Sequence, residues 1–414
     1  MQPPDPRPAD DLPPAAPADA ALRLGAWART GTAGFGLLGL ASLAAAAGLG
    51  WLRGDQFAYL LHSYLVSFVF FLSLSLGALF FVLVQHATRA GWSVTCRRLA
   101  ELLAANVPLL AVLFLPILLS VFARCGSLYP WAAAETAHAA HAQQTGWLEP
   151  KFFGLRALGY LAVWVLLGRF YWLRSLEQDL SGGVGPTLKM ERLSPMGLLL
   201  FAGTVTFAAF DWLMSLTPHW YSTIYGVYYF AGALVGSLAA VVVAAVALQA
   251  AGRLRQQITV EHYHDLGKLL FAFVVFWGYI AFSQYLLIWY ANMPEETVWY
   301  RPRHQGPWAT VSLVLLGGNL LLPMLGLLSR HVKRCKPLLA FWAVWLLAMH
   351  WIDLNWLVMP ALNPEGPKLL AVDICCMLGI GGVWLAGLCR LAGDRPLVPL
   401  ADPRLAESLA FENT

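Results

Sequence analysis

Runs of about 20 apolar residues, the length that crosses a membrane as a helix, recur ten times along the chain. They lie near 30–51, 57–86, 99–121, 152–172, 195–216, 221–250, 267–290, 307–329, 337–359 and 368–390. The second and sixth are long enough to tilt or to project beyond the hydrocarbon. Pro108, Pro116 and Pro323 fall inside such runs, where each would kink its helix and free backbone carbonyls. Residues 1–28 are rich in Pro, Ala and Asp and carry no signal-type apolar run, which predicts a disordered, uncleaved tail. The expected fold is an all-α integral membrane protein with ten transmembrane helices.

A weak internal repeat refines that expectation. The third run opens with Leu99-Ala100-Glu101-Leu102-Leu103 and the seventh with Leu266-Gly267-Lys268-Leu269-Leu270, an offset that also lays the second run on the sixth. Four spans separate the copies, so they point the same way, as in parallel repeats related by an axis along the membrane normal. The expected organisation is two four-helix bundles, 57–217 and 218–360, related by a pseudo-two-fold repeat. Flanking helices at 29–56 and 361–391 and a cytoplasmic C-terminal tail at 392–414 complete it. Glu101 and Lys268 occupy equivalent positions with opposite charge, which predicts an ion pair between the bundles.

Composition excludes other classes. Of 414 residues 59% are hydrophobic and 12% charged, and the mean hydropathy is +0.61. A soluble enzyme, a disordered chain and a disulfide scaffold are ruled out. The net charge of +4 comes from sparse loop charges and implies no nucleic-acid partner. With the N-terminus inside, 20 of the 27 Lys and Arg fall on the inner side and seven on the outer. That split predicts both termini in the cytoplasm. Cys96, Cys125, Cys335, Cys375, Cys376 and Cys389 show neither CxxC nor CxxCH spacing, so no iron-sulfur cluster, structural zinc, c-type haem or other resident redox centre is expected.

Ionisable side chains within the spans are costly and so are candidates for function. An outer group comprises His62, Asp211, His350, Asp353 and Asp373. An inner group comprises His86, Glu101, His264, Asp265 and Lys268. Carboxylates and imidazoles stacked from each face towards the centre suit a proton half-channel, and His350 and Asp353, at i and i+3, share one helical face. A buried polar network that only fixes helix packing is the other reading, and quinol contact for part of the outer group a third. In the loop before residue 150, Glu135, His138 and His141 fall on one face of a short helix, which solvation or docking explains better than a metal. His62 and His86 are too far apart in sequence for a haem pair, and His262 and His264 point apart. Aromatics gather at the outer ends: Trp220, Tyr221, Tyr225, Tyr228 and Tyr229 on one hairpin, Trp289, Tyr290, Trp299, Tyr300 and Trp308 on the next. An interfacial belt accounts for them, with a flat pocket for a quinone ring as the sharper alternative.

Several stretches carry a resemblance. They are Phe210-Asp211-Trp212-Leu213-Met214-Ser215-Leu216 running into Pro218-His219-Trp220-Tyr221, then His264-Asp265-Leu266-Gly267-Lys268, Trp289-Tyr290-Ala291-Asn292-Met293-Pro294, His350-Trp351-Ile352-Asp353 and the tail Asp402-Pro403-Arg404-Leu405 with Phe411-Glu412-Asn413. Over residues 30–414 the chain resembles the ActF-like, polysulfide-reductase-type (NrfD-like) membrane subunits of alternative complex III. The resemblance implies a subunit of a quinol-oxidising electron-transport complex, with two four-helix bundles and two flanking helices. Its partners would be a sister NrfD-like membrane subunit, an iron-sulfur subunit, multihaem and monohaem cytochrome c subunits and, in some assemblies, a terminal oxidase. It also implies a quinone such as menaquinone as the relevant small molecule, and roles for Asp211, His264, Asp265, Lys268, His350 and Asp353 in proton conduction or quinone contact.

Two other functions remain open on the sequence. One is a stand-alone secondary transporter with parallel repeats, against which the charge-poor middle speaks. The other is a subunit with its own complete quinol-oxidising pocket, His350 and Asp353 accepting the two protons.

Overall fold

The computed structural model describes residues 20–124, 126–133 and 146–413. Ten helices there are long and apolar enough to cross a membrane: α1 Ala26–Arg53, α2 Ala58–Ala87, α3 Val94–Phe122, α4 Pro150–Ser181, α5 Gly185–Leu216, α6 Tyr225–Ala250, α7 Val260–Ala291, α8 Gly306–Leu328, α9 Lys336–Ala361 and α10 Ala371–Ala392. The described residues contain no strand. Each helix matches one apolar run. We call the end that holds Ala26 and Asn413 the inner end and the opposite one the outer.

Apolar character on every side buries a helix, and α2 is the most enclosed, with almost all residues from His62 to Leu83 buried. Around it stand α3, α5, α6, α9 and α10. Neighbour contacts run from α2 through α3, α4 and α5 back to α2, and from α6 through α7, α8 and α9 back to α6. The two rings meet where α2 crosses α6. A Cβ on Gly77 would stand 2.3 Å from the Ala233 carbonyl oxygen, so the helices touch backbone to backbone, the close approach that small residues permit in lipid. α1 packs along α10 in the same way: a Cβ on Gly39 would lie 2.5 Å from the Val383 nitrogen.

Proline breaks the helices as expected. α3 consists of Val94–Ala105, Val107–Leu113 and Leu115–Phe122, with Pro108 and Pro116 in the first turns of the later pieces. The Leu113 carbonyl at one break accepts from the Tyr64 hydroxyl at 2.7 Å, and Asn106 at the other donates to the Trp384 carbonyl at 2.9 Å. In α8 a π-helical stretch, Leu316–Leu321, precedes Pro323, and Trp345 donates to the Gly318 carbonyl within it at 2.7 Å. Freed carbonyls in an apolar medium thus find side-chain donors.

The C-terminal tail crosses the inner ends of both rings. Asp402 pairs with Arg97 of α3, and the Ser408 hydroxyl lies 2.7 Å from the Trp92 carbonyl, 3.3 Å from the Thr95 hydroxyl and 3.2 Å from His262 Nε2 of α7. Asn413 accepts from Lys268 at 3.0 Å.

Candidate functional site

The face that His350 and Asp353 share on α9 meets α6 at two glycines. A Cβ on Gly232 would lie 3.1 Å from His350 Nδ1 and 3.7 Å from Asp353 Oδ2, and one on Gly236 2.9 Å from His350 Cδ2. Both candidate side chains therefore close on one stretch of α6, where the absence of a side chain makes room for the imidazole. Tyr228 of α6 donates to Asp353 Oδ1 at 2.5 Å and Trp277 of α7 donates to Oδ2 at 3.2 Å. No Lys or Arg among the described residues pairs with this buried carboxylate. Ser73 of α2 donates to the Phe70 carbonyl at 2.6 Å and stands 2.7 Å from His350 Nε2. With the serine proton committed, Nε2 carries the imidazole hydrogen and Nδ1 is left as a bare acceptor. That Nδ1 is buried and has no hydrogen-bond partner.

Chemically this is a carboxylate held only by neutral donors beside an imidazole with a free lone pair. Burying a charge without a countercharge is expensive, and here only the Tyr228 and Trp277 donors offset that cost. The site lies on the loop-facing half of α9, at the meeting of the two rings.

Above it sits a residue the sequence reading passed over. Arg303, buried in the segment before α8, donates to the carbonyls of Trp299 (2.7 Å), Leu357 (2.9 Å) and Trp356 (3.2 Å), and its guanidinium lies 3.6 Å from the Trp299 ring centroid. Two of these carbonyls belong to the C-terminal turn of α9, where a cation opposes the helix dipole. Burial pushes Arg303 down to about 9, and the neighbouring tyrosines Tyr225 and Tyr300 counter that fall. Tyr300, also buried, is raised to about 12. The Tyr225 hydroxyl between Arg303 and the Asp353 site has no hydrogen-bond partner. Of the ten aromatics at the outer ends, Tyr221, Trp289 and Tyr290 are exposed as belt residues. The remaining seven are buried, Trp220 stacking on Trp299 at 4.6 Å.

The rest of the outer group stands elsewhere. Asp211 on α5 is matched by a cation: Arg156 of α4 donates to both oxygens at 2.8 Å, Trp147 to Oδ1 and Tyr160 to Oδ2 at 2.9 Å. Four donors and a full countercharge hold it between α4 and α5. Asp373 accepts from the Tyr59 hydroxyl and the Leu370 amide, each at 2.7 Å, and so closes the first turn of α10. His62 turns back on its own helix, its Nδ1 lying 2.8 Å from the Ala58 carbonyl.

The inner group divides into two clusters, and the expected Glu101–Lys268 pair does not form. Glu101 pairs with Arg97 and Arg98, one turn before it at 3.4 and 3.2 Å, while Arg98 reaches Asp179 of α4 at 2.7 Å. Lys268 pairs with Asp265 at 2.5 Å and is half-exposed. Residues at i+3 and i+4 share a helical face, and the two arginines before Glu101 supply its countercharge locally. His86 stacks on Tyr171, ring centroids 5.4 Å apart, and its Nε2 has no partner. His264 Nδ1 is likewise buried and unpartnered. His262 belongs to neither cluster, binding Thr259 and the tail.

Glu135, His138, His141 and Cys125 lie outside the described residues. Among the described ones no three His, Cys, Asp or Glu side chains converge as metal ligands, and Cys96, Cys335, Cys375, Cys376 and Cys389 are free thiols. Compared with known proteins, the chain matches no family model and no curated sequence.

Proposed function

We propose that this multi-pass membrane protein is the ActF-like, NrfD-type subunit of a respiratory quinol-oxidising complex of the alternative complex III class, lodged in a bacterial inner membrane with both termini in the cytoplasm. In this reading it holds the assembly in the bilayer and passes protons. The electron carriers reside in partner cytochrome and iron-sulfur subunits. Motif resemblance supports the family, and the neighbour rings around α2 and α6 agree with paired four-helix bundles. The observation that carries the proton role is the pairing of Asp353, held only by Tyr228 and Trp277, with His350 and its free Nδ1. A proton arriving from the outer end meets a desolvated carboxylate first and the imidazole one turn deeper. Asp211, neutralised by Arg156, anchors α5 to α4 instead.

A quinone-binding surface is a second reading with its own support. A groove of about 750 Å³ runs between α2, α6, α9 and α10, lined by Phe70, Leu74, Trp351, Met377 and Trp384 among others. Its wall residue Phe70 has its ring 5.6 Å from that of His350.

The test is Asp353→Asn in the assembled complex, with quinol oxidation and proton movement read together. The proton reading expects intact assembly with slowed proton movement. Unchanged rates of both would reduce Asp353 to a packing residue. Protection of the groove from photolabelling by a menaquinone analogue would favour the second reading.

A further inference from the structure

Where α8 ends and the chain turns into α9, four residues, Arg330, Lys333, Arg334 and Lys336, hold most of the inner positive charge of the second ring. Arg334 is taken by Glu261 of α7, Lys336 by Gln249 at 2.7 Å, and Lys268 by Asp265. Arg330 and Lys333 face no carboxylate among the described residues. Lys333 lies across α7 with its stem against Gly267, where a Cβ would stand 2.8 Å from Lys333 Cγ. Its ammonium touches only the Leu328 carbonyl, at 3.4 Å, and sits 5.5 Å from the Phe271 ring centroid. His264, whose Nδ1 is buried without a partner, lies one turn before Gly267 on α7, and Arg330 stands one turn before Lys333 in the short helix Arg330–Arg334. Two cations without a carboxylate partner thus stand on the same stretch of the inner end as a buried polar atom that lacks a ligand.

We infer that Arg330, Lys333 and His264 form a binding site for a phosphate group, and specifically for the headgroup of an anionic membrane lipid. The position favours a lipid over a free anion. The charges stand in the short helix Arg330–Arg334 that directly follows the end of α8 at Leu328, which is headgroup depth. Directly towards the membrane centre, Leu325 and Leu328 of α8 and Leu338 and Phe341 of α9 expose apolar side chains against which acyl chains would lie. The Lys333 stem already lies along apolar surface with its charge at the boundary. The His264 Nδ1–H tautomer would donate to a phosphate oxygen, giving this buried, unpartnered nitrogen a ligand. This inference does not depend on the respiratory reading.

Native mass spectrometry of the delipidated full chain, titrated with phosphatidylglycerol and with phosphatidylcholine, tests it. The comparison variants are Arg330→Gln/Lys333→Gln and Lys189→Gln/Arg192→Gln, the second removing equal charge from exposed positions at the inner end of α5. Preferential phosphatidylglycerol binding, weakened roughly tenfold to thirtyfold only by the first pair, is the expected result. Equal weakening by both pairs would mean non-specific surface attraction and would overturn the site. Competition by millimolar inorganic phosphate as effective as by the lipid would overturn the assignment to a lipid. Circular dichroism of both variants shows whether either has unfolded. If the first pair unfolds, a His264→Phe variant tests the same site, and undiminished lipid preference in it would count against the proposal.

Discussion

Tyr228 and Asp353 meet across α6 and α9 with hydroxyl and carboxylate oxygens 2.5 Å apart, both buried. Removing the hydroxyl by Tyr228→Phe strips the carboxylate of its closest donor and leaves an acceptor unsatisfied in an apolar site. The expected loss is about 1–3 kcal/mol, read as a lower unfolding temperature in detergent. Asp353→Asn keeps an acceptor for Trp277 and a donor for Tyr228, so it should unfold close to the native chain. A large loss in Asp353→Asn would mean that the charge itself holds α6 to α9.

Asp211 should behave in the opposite way. Arg156→Gln leaves it buried with its countercharge gone, at a cost of about 3–5 kcal/mol. Asp211→Asn combined with Arg156→Gln removes both charges, and the double variant should recover part of that loss. Additive losses in a double-mutant cycle would show that the pair contributes nothing to α4–α5 packing.

Gly77→Ala places a methyl 2.3 Å from a backbone oxygen of α6. Unlike a contact with a flexible side-chain tip, this can be relieved only by moving one helix. A destabilisation of about 1–3 kcal/mol and a poorer folded yield are expected. Gly203→Ala, on the neighbouring helix with open space around its Cβ position, should be tolerated. Equal yields of the two variants would contradict the tight α2–α6 crossing.

Cys96 reports on the tail. It is fully buried on α3 next to Thr95, which Ser408 contacts. With the other cysteines replaced by serine, Cys96 should resist maleimide in the full chain. It should react when the chain stops after Leu400, or when Asp402→Asn and Ser408→Ala are combined. A folded, tail-less chain with an unreactive Cys96 would show that the tail does not seal the inner end.

The apolar runs located every span because a bilayer sets the length of its helices, yet the runs at 152–172 and 195–216 stopped short of α4 and α5. Glu177, Lys189, Glu191 and Arg192 end the apolar run there without ending the helix, since all three residue types favour helix. His350 and Asp353 were legible as a pair because i and i+3 share a face. Their partners Ser73, Tyr228 and Trp277 come from three other helices, which periodicity does not align. Arg156 could have been read against Asp211, the two standing near the outer ends of consecutive antiparallel helices. Arg97 and Arg98, four and three residues before Glu101, are nearer in sequence than the distant Lys268. Arg303 gave no signal, because its partners are backbone carbonyls and a ring face.

The central claim, membership of a quinol-oxidising complex, is tested most directly by affinity purification of the tagged chain in mild detergent, with a visible spectrum and a subunit census of the eluate. Haem absorbance with co-eluting cytochrome, iron-sulfur and sister membrane subunits is the predicted result. A colourless protein eluting alone, folded and with its ten helices intact, would contradict it and leave a self-contained membrane protein such as a secondary transporter.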